Sequence, residues 1–142
     1  MRTPPNVLAA RPVPLSESSS GATVRVLVAD DSTAFRSVAR QVIELSPGFE
    51  LAATASSGEE AIAASQRVHP HLVLMDVRMP GMGGVKAADE IAAREPGVRV
   101  VLLSGGLRED VPGASETDLP YLPKTEFGPA VLRELWDVVC QR

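Results

Sequence analysis

The chain has 142 residues, 44% of them hydrophobic, with a formal net charge of −4 and a single cysteine, Cys140. That length suits one domain with a real core, and the acidic balance argues against a general nucleic-acid binder. One cysteine excludes an internal disulfide and fits a reducing cytoplasm, while no apolar run approaches the roughly 20 residues that span a bilayer, so no membrane partner is expected.

Residues 1–22 stand apart. They carry Pro4, Pro5, Pro12 and Pro14, then Ser16, Ser18, Ser19 and Ser20. Such a stretch buries too little apolar surface to offset its ordering entropy, so a disordered N-terminal tail is expected there and a folded domain over 23–142. From Val24 the texture changes. Val24 to Ala29 is a short apolar run that ends in Asp30-Asp31, as a buried strand would. Phe35, Val38, Ala39, Val42 and Ile43 recur at helical spacing, and Ser46-Pro47-Gly48 stops that helix. Phe49 to Ala55 reads as a second strand. Ser57 and Glu60 form a capping-box pattern ahead of Ala61, Ile62 and Val68. Leu72 to Met75 is a third strand ending at Asp76. Val85, Ala88, Ile91 and Ala92 mark a helix closed by Pro96-Gly97. Val98 to Leu103 is a fourth strand ending at Ser104, and Leu119 to Leu122 a fifth before Lys124. Val131, Leu132, Leu135, Trp136 and Val139 form a last amphipathic helix, with Trp136 and Leu132 expected to pack on the sheet.

Strands alternating with helices predict an α/β fold with a parallel sheet covered on both faces. The segment between the fourth and fifth strands holds Pro112, Gly113 and four acids. A proline inside a helix removes a bond and clashes with the preceding turn, so a short or irregular fourth helix is expected. In an open parallel sheet the carboxyl ends of the strands form one ligand-binding edge. Asp30, Asp31, Asp76, Ser104 and Lys124 each follow a strand, so they are expected to meet in one cleft. Three crowded carboxylates repel, and each raises the others' pKa. A hard divalent cation relieves this, and magnesium suits oxygen ligands. One carboxylate oxygen could then attack phosphorus, with Lys124 and Ser104 meeting the charge on the phosphoryl oxygens.

Four ordered motifs carry a resemblance. Val26-Leu27-Val28-Ala29-Asp30-Asp31, the run Leu72 to Gly84 around Asp76, Val101-Leu102-Leu103-Ser104-Gly105 and Tyr121-Leu122-Pro123-Lys124 resemble the CheY-like receiver family of two-component response regulators over about residues 24–141. The resemblance implies a flavodoxin-like doubly wound five-stranded sheet of order 2-1-3-4-5. It implies Asp76 as phosphoacceptor and Asp31 as a direct Mg2+ ligand, with Asp30 assisting and the backbone carbonyl of Arg78 completing the protein's share. It implies Ser104 and Lys124 as phosphoryl contacts, and Tyr121 as a switch residue moving with Ser104. The expected partners are a sensor histidine kinase or phosphotransfer protein, a downstream protein target or output domain, and a second copy in a phosphorylation-dependent homodimer. No direct nucleic-acid contact by this chain is expected. The role is that of a signalling phosphoacceptor rather than an enzyme with an external substrate.

Departures temper the carry-over. The family often places a proline after the lysine; here Thr125 follows Lys124 and Pro123 precedes it. Gly105 and Gly106 leave little bulk beside Ser104, which predicts ready access of water to the acyl phosphate. Three other readings stay open. An Asp-Asp pair is often a solvated turn or a helix N-cap. A receiver fold can serve as a phosphorylation-independent interaction module. An Mg-dependent phosphohydrolase also uses an Asp nucleophile, though it commonly has an acid two residues later, where this chain has Arg78. His69 and His71 flank Pro70 and read as exposed loop residues. The sequence reaches Arg142 soon after the last helix, which fits a stand-alone receiver or a piece of a longer regulator.

Overall fold

Short runs of Val, Leu, Ile and Ala bounded by polar turns are too brief for buried helices, and they form strands. The computed structural model describes residues 23–105 and 117–141. In chain order, β1 (Val24–Ala29) leads to α1 (Thr33–Glu44), β2 (Phe49–Ala55) to α2 (Gly58–Val68) and β3 (Leu72–Asp76) to α3 (Gly84–Arg94). Then come β4 (Arg99–Ser104), β5 (Tyr121–Pro123), a 3-10 turn (Lys124–Glu126) and α4 (Pro129–Val139). The expected tail over 1–22 and the expected irregular helix between β4 and β5 lie outside the described residues.

All strand pairs are parallel, and the sheet order is β2-β1-β3-β4-β5. This is the expected flavodoxin-like winding. Strand residues alternate between two cores, as a period of two requires. Val26, Val28, Leu72, Leu74, Val101, Leu103 and Leu122 pack with Ala39, Val42 and Ile43 of α1 and with Leu132 and Val139 of α4. Leu27, Ala29, Val73, Met75, Val100 and Leu102 pack with Ala61 and Ala64 of α2 and Val85, Ala88 and Ile91 of α3. β3 is buried along its whole length, as the central strand between two helical layers must be. Trp136 and Leu132 join the first of these cores, as expected.

The helix ends follow their side-chain chemistry. Ser32 caps α1 by accepting from the Phe35 amide at 3.1 Å. Ser57 caps α2 through the Glu60 amide, also at 3.1 Å. The return arm of that capping box goes to a different residue from the usual one: Glu60 Oε1 accepts from the Ser56 amide and hydroxyl. Two local expectations change. Val38 is 50% exposed, so it sits off the buried stripe of α1. β5 begins at Tyr121 rather than Leu119, because Pro120 has no N–H for a ladder and only its carbonyl accepts, from Leu102. Among the described residues no helix is long and apolar enough to cross a membrane.

Candidate functional site

The alternation that builds the two cores also aims the polar residues at the strand ends. Asp30 continues the parity of Val26 and Val28, Asp76 that of Leu72 and Leu74, and Lys124 that of Leu122. All three lie on the side covered by α1 and α4. Ser104 and Tyr121 follow the opposite parity, and Tyr121 packs against the core formed with α2 and α3.

The three acids meet. One carboxylate oxygen from each of Asp30, Asp31 and Asp76 lies within 4.8 Å of the other two. Asp30 and Asp76 are buried while Asp31 is exposed at the rim. Lys124 Nζ bridges the buried pair, at 2.5 Å from Asp30 Oδ2 and 3.4 Å from Asp76 Oδ2. Its ammonium also lies 4.7 Å from the centroid of the Phe35 ring, a contact that attracts a cation. Phe35 in turn meets Phe127, just after the 3-10 turn, with ring centroids 6.0 Å apart. The lysine is thereby held between α1 and the buried acids.

Asp30 is fixed from several directions. Its amide donates to Ala55 O at 2.9 Å, and its Oδ1 accepts from the Ser32 amide at 2.8 Å. Ser32, not either aspartate, is therefore the helix cap, and the pair of acids is left for another task. Asp76 Oδ1 accepts from the Arg78 amide at 3.3 Å, which draws the loop after β3 toward the acids. Ser104 is buried at the end of β4, one residue beyond Leu103, the register partner of Asp76.

The electrostatics are those of a crowded anionic cleft. Burial, and then the charge of Asp30, push the Asp76 carboxyl up from 3.8 to about 6, against the opposing pull of Lys124 and the Arg78 amide. For Lys124, burial works to lower the pKa. Contact with Asp30 and the charge of Asp76 outweigh it and hold the ammonium above its ordinary value.

The donor set fits a hard divalent ion. Every candidate ligand is an oxygen. Asp30 Oδ2 is buried and faces the Lys124 ammonium. Three carboxylates crowd round the Lys124 ammonium, and a divalent cation would relieve their mutual repulsion. The acidic cluster Asp30, Asp31 and Asp76 can hold a metal.

Sequence reasoning missed the residues that hold this cleft in shape. Gly84 opens α3 so close to β3 that a Cβ there would overlap the Asp76 carbonyl oxygen. Glu59, at the start of α2, accepts from the Met82 amide at 3.2 Å and so ties down the loop after Asp76. Arg36 donates to the Asp30 carbonyl at 2.7 Å. Only Gly84 had a visible signal, as a glycine in the run after Asp76. The histidines lie elsewhere. His69 ends α2 at φ 51°, and His71 Nδ1 accepts from the Arg25 amide at 2.9 Å, beside the start of β1.

Known proteins agree with this geometry. A family model described as the response regulator receiver domain matches residues 26–116. A protein-glutamate methylesterase/protein-glutamine glutaminase from Alkalilimnicola ehrlichii is 39% identical over 94 residues, covering 66% of this chain and 23% of that protein. The transcriptional regulatory protein DegU of Brevibacillus brevis is 30% identical over 121 residues, covering 85% of this chain and 48% of that one. The chain thus spans between about a quarter and a half of the length of these relatives. Among solved structures, the CheX-CheY-BeF3-Mg2+ complex of Borrelia burgdorferi aligns with a TM-score of 0.73 and 25% identity, over 85% of this chain and 92% of that one. With five parallel strands wound in the order 2-1-3-4-5 and the acids gathered at their carboxyl ends, this chain belongs to the response regulator receiver domain family of two-component systems.

Proposed function

We propose that this receiver accepts a phosphoryl group on Asp76 from the phosphohistidine of a sensor histidine kinase or phosphotransfer protein, in a reaction that needs Mg2+. The observation that carries this reading is the bridging of Asp30 and Asp76 by Lys124 beside an exposed third acid, Asp31. Asp31, Asp30, Asp76 and the Arg78 backbone carbonyl would hold the ion. When bound, it supplies positive charge to the phosphoryl oxygens and relieves repulsion among the carboxylates.

The residues of this chain do the rest. A carboxylate oxygen of Asp76 forms the new bond to phosphorus as the bond from phosphorus to the donor nitrogen breaks, with its electron pair staying on the imidazole. Lys124 moves its contact from the carboxylates to a phosphoryl oxygen, and Ser104 donates to another. Added charge at Asp76 then draws Ser104 inward, and Tyr121, which shares its face of the sheet, follows. That couples the cleft to a surface for a downstream target, an output domain or a second receiver. Gly105 is exposed, and among the described residues no atom lies within 4 Å of a Cβ built there, which supports ready access of water to the acyl phosphate and a short-lived phosphorylated state. The cytoplasm, where sensor kinases present their phosphohistidines, is the proposed location.

The test is incubation with a small phosphodonor and Mg2+, followed by intact-mass measurement. The wild type should gain one phosphoryl group, and Asp76→Ala none. A wild type that stays unmodified would overturn the reading, and a signal persisting in Asp76→Ala would move the acceptor elsewhere.

A further inference from the structure

The peptide unit between the two adjacent acids is held by a charged side chain that no receiver motif of this sequence contains. Arg36, in α1, donates from Nη1 to the Asp30 backbone oxygen at 2.7 Å and from Nη2 to Thr33 Oγ1 at 3.3 Å. The Asp30 amide is tied to Ala55 O and its Oδ1 to the Ser32 amide. Amide, side chain and carbonyl of Asp30 are therefore all anchored, and Asp31 leaves from the anchored carbonyl. A guanidinium presents its donors in a rigid fork, so one side chain can hold a carbonyl and a hydroxyl together. Arg36 also acts by charge on Glu60, although the Ser56 amide and hydroxyl have the larger influence there. It thus connects the loop after β1 to the loop after β2.

We propose that Arg36 is a positioning residue for the metal site. By gripping the carbonyl between Asp30 and Asp31 it sets the directions of both carboxylates, and so strengthens Mg2+ binding despite its own positive charge. This rests on the reading of the acidic cluster as a magnesium site.

The two influences of Arg36 have opposite signs, which makes the proposal easy to test. As a nearby cation it repels Mg2+, so its removal by electrostatics alone would tighten binding. As a clamp it keeps the ligands convergent, so its removal weakens binding. The experiment titrates the full chain with Mg2+ alone, by calorimetry and by following the Ser32 amide resonance. The proteins compared are the wild type, Arg36→Met and Arg36→Lys. Loss of an outer partner of a metal ligand commonly weakens affinity by roughly 10-fold or more. Arg36→Met should therefore bind Mg2+ roughly 10-fold more weakly. Arg36→Lys, which keeps the charge but not the fork, should also be weaker than wild type.

Binding by Arg36→Met as tight as wild type, or tighter, overturns the proposal. Should that variant fail to fold, Arg36→Lys decides alone, and wild-type affinity there overturns it too. A wild type that binds no Mg2+ removes the metal reading and this one together. A wild type that binds, beside an unaffected Arg36→Lys, removes only the role of Arg36.

Discussion

At Asp76 the proposed function and the stability of the fold pull in opposite directions. A carboxyl held at about 6 in the folded protein and near 3.8 when unfolded binds its proton more tightly in the fold. Its favourable contribution is complete below about pH 4 and is lost as pH rises through about 6. At pH 7 the metal-free protein therefore carries an ionised, buried carboxylate at a cost of about 3 kcal/mol, since each tenfold change in proton affinity is worth about 1.4 kcal/mol. Asp76→Asn keeps the shape and removes the charge. In urea melts with a chelator present it should be more stable than wild type by roughly 1–3 kcal/mol at pH 7, and the difference should fade toward pH 4. Equal gains at both pH values would show that packing, not ionisation, sets the effect. The direction is unusual, since most point substitutions destabilise. In the proposed role Asp76 must stay available to attack phosphorus, so it cannot also be fully satisfied within its own fold.

At the scale of elements, the sharpest constraint is how closely α3 starts behind β3. Gly84 lies against the backbone of Asp76 and Val77, and a Cβ there would have three backbone atoms within 3 Å. Backbone cannot step aside as a flexible side chain can, so Gly84→Ala must push α3 away from the sheet. We expect a loss of about 3 kcal/mol or more in denaturant melts. Gly97→Ala is the control. Among the described residues no atom lies within 4 Å of the added carbon, and the φ of Gly97 is not positive, so it should leave stability within about 0.5 kcal/mol of wild type. A mild Gly84→Ala would mean that α3 tolerates a second seating.

The elements also divide what was legible in the sequence from what was not. Five strands and four of the helices were readable because apolar periodicity and turn residues encode burial directly. Asp30, Asp76 and Lys124 could be placed together because each follows a strand, and strand parity carries them to one face. Arg36, Glu59 and the Phe35 contact to Lys124 were not readable. They depend on how far a particular side chain reaches across neighbouring loops, and no periodicity reports that. Val38 was misplaced for a similar reason: its spacing fits the stripe, but the sheet covers only one side of α1.

At the scale of the whole molecule, the two ends of the sheet do different work. At the amino ends of the strands, Arg25 donates to His69 O and its amide to His71 Nδ1, while Arg99 N bonds His71 O. Apart from Arg99 Nε, which is buried without a hydrogen-bond partner among the described residues, these groups satisfy one another. At the carboxyl ends, three acids crowd together and Lys124 pairs with two of them, Asp30 and Asp76. A ligand that binds only the folded protein stabilises it in proportion to RT ln(1 + [L]/Kd), about 2.7 kcal/mol at a hundred-fold excess over Kd. Mg2+ should thus raise the melting temperature at pH 7.5. The gain should shrink at pH 5, where a proton on Asp76 competes with the ion. His71→Ala removes an acceptor at the far end. It should lower the melting temperature in line with a loss of about 1 kcal/mol, yet leave the rise produced by Mg2+ unchanged. Asp31→Asn should do the reverse, with a nearly normal melt without the ion and little response to it. If His71→Ala abolished the Mg2+ response, or Asp31→Asn kept it in full, the division between a satisfied end and an unbalanced end would be wrong. With that division, the sheet can hold its fold from one edge while the other is free to take up the charge that the proposed phosphorylation would add.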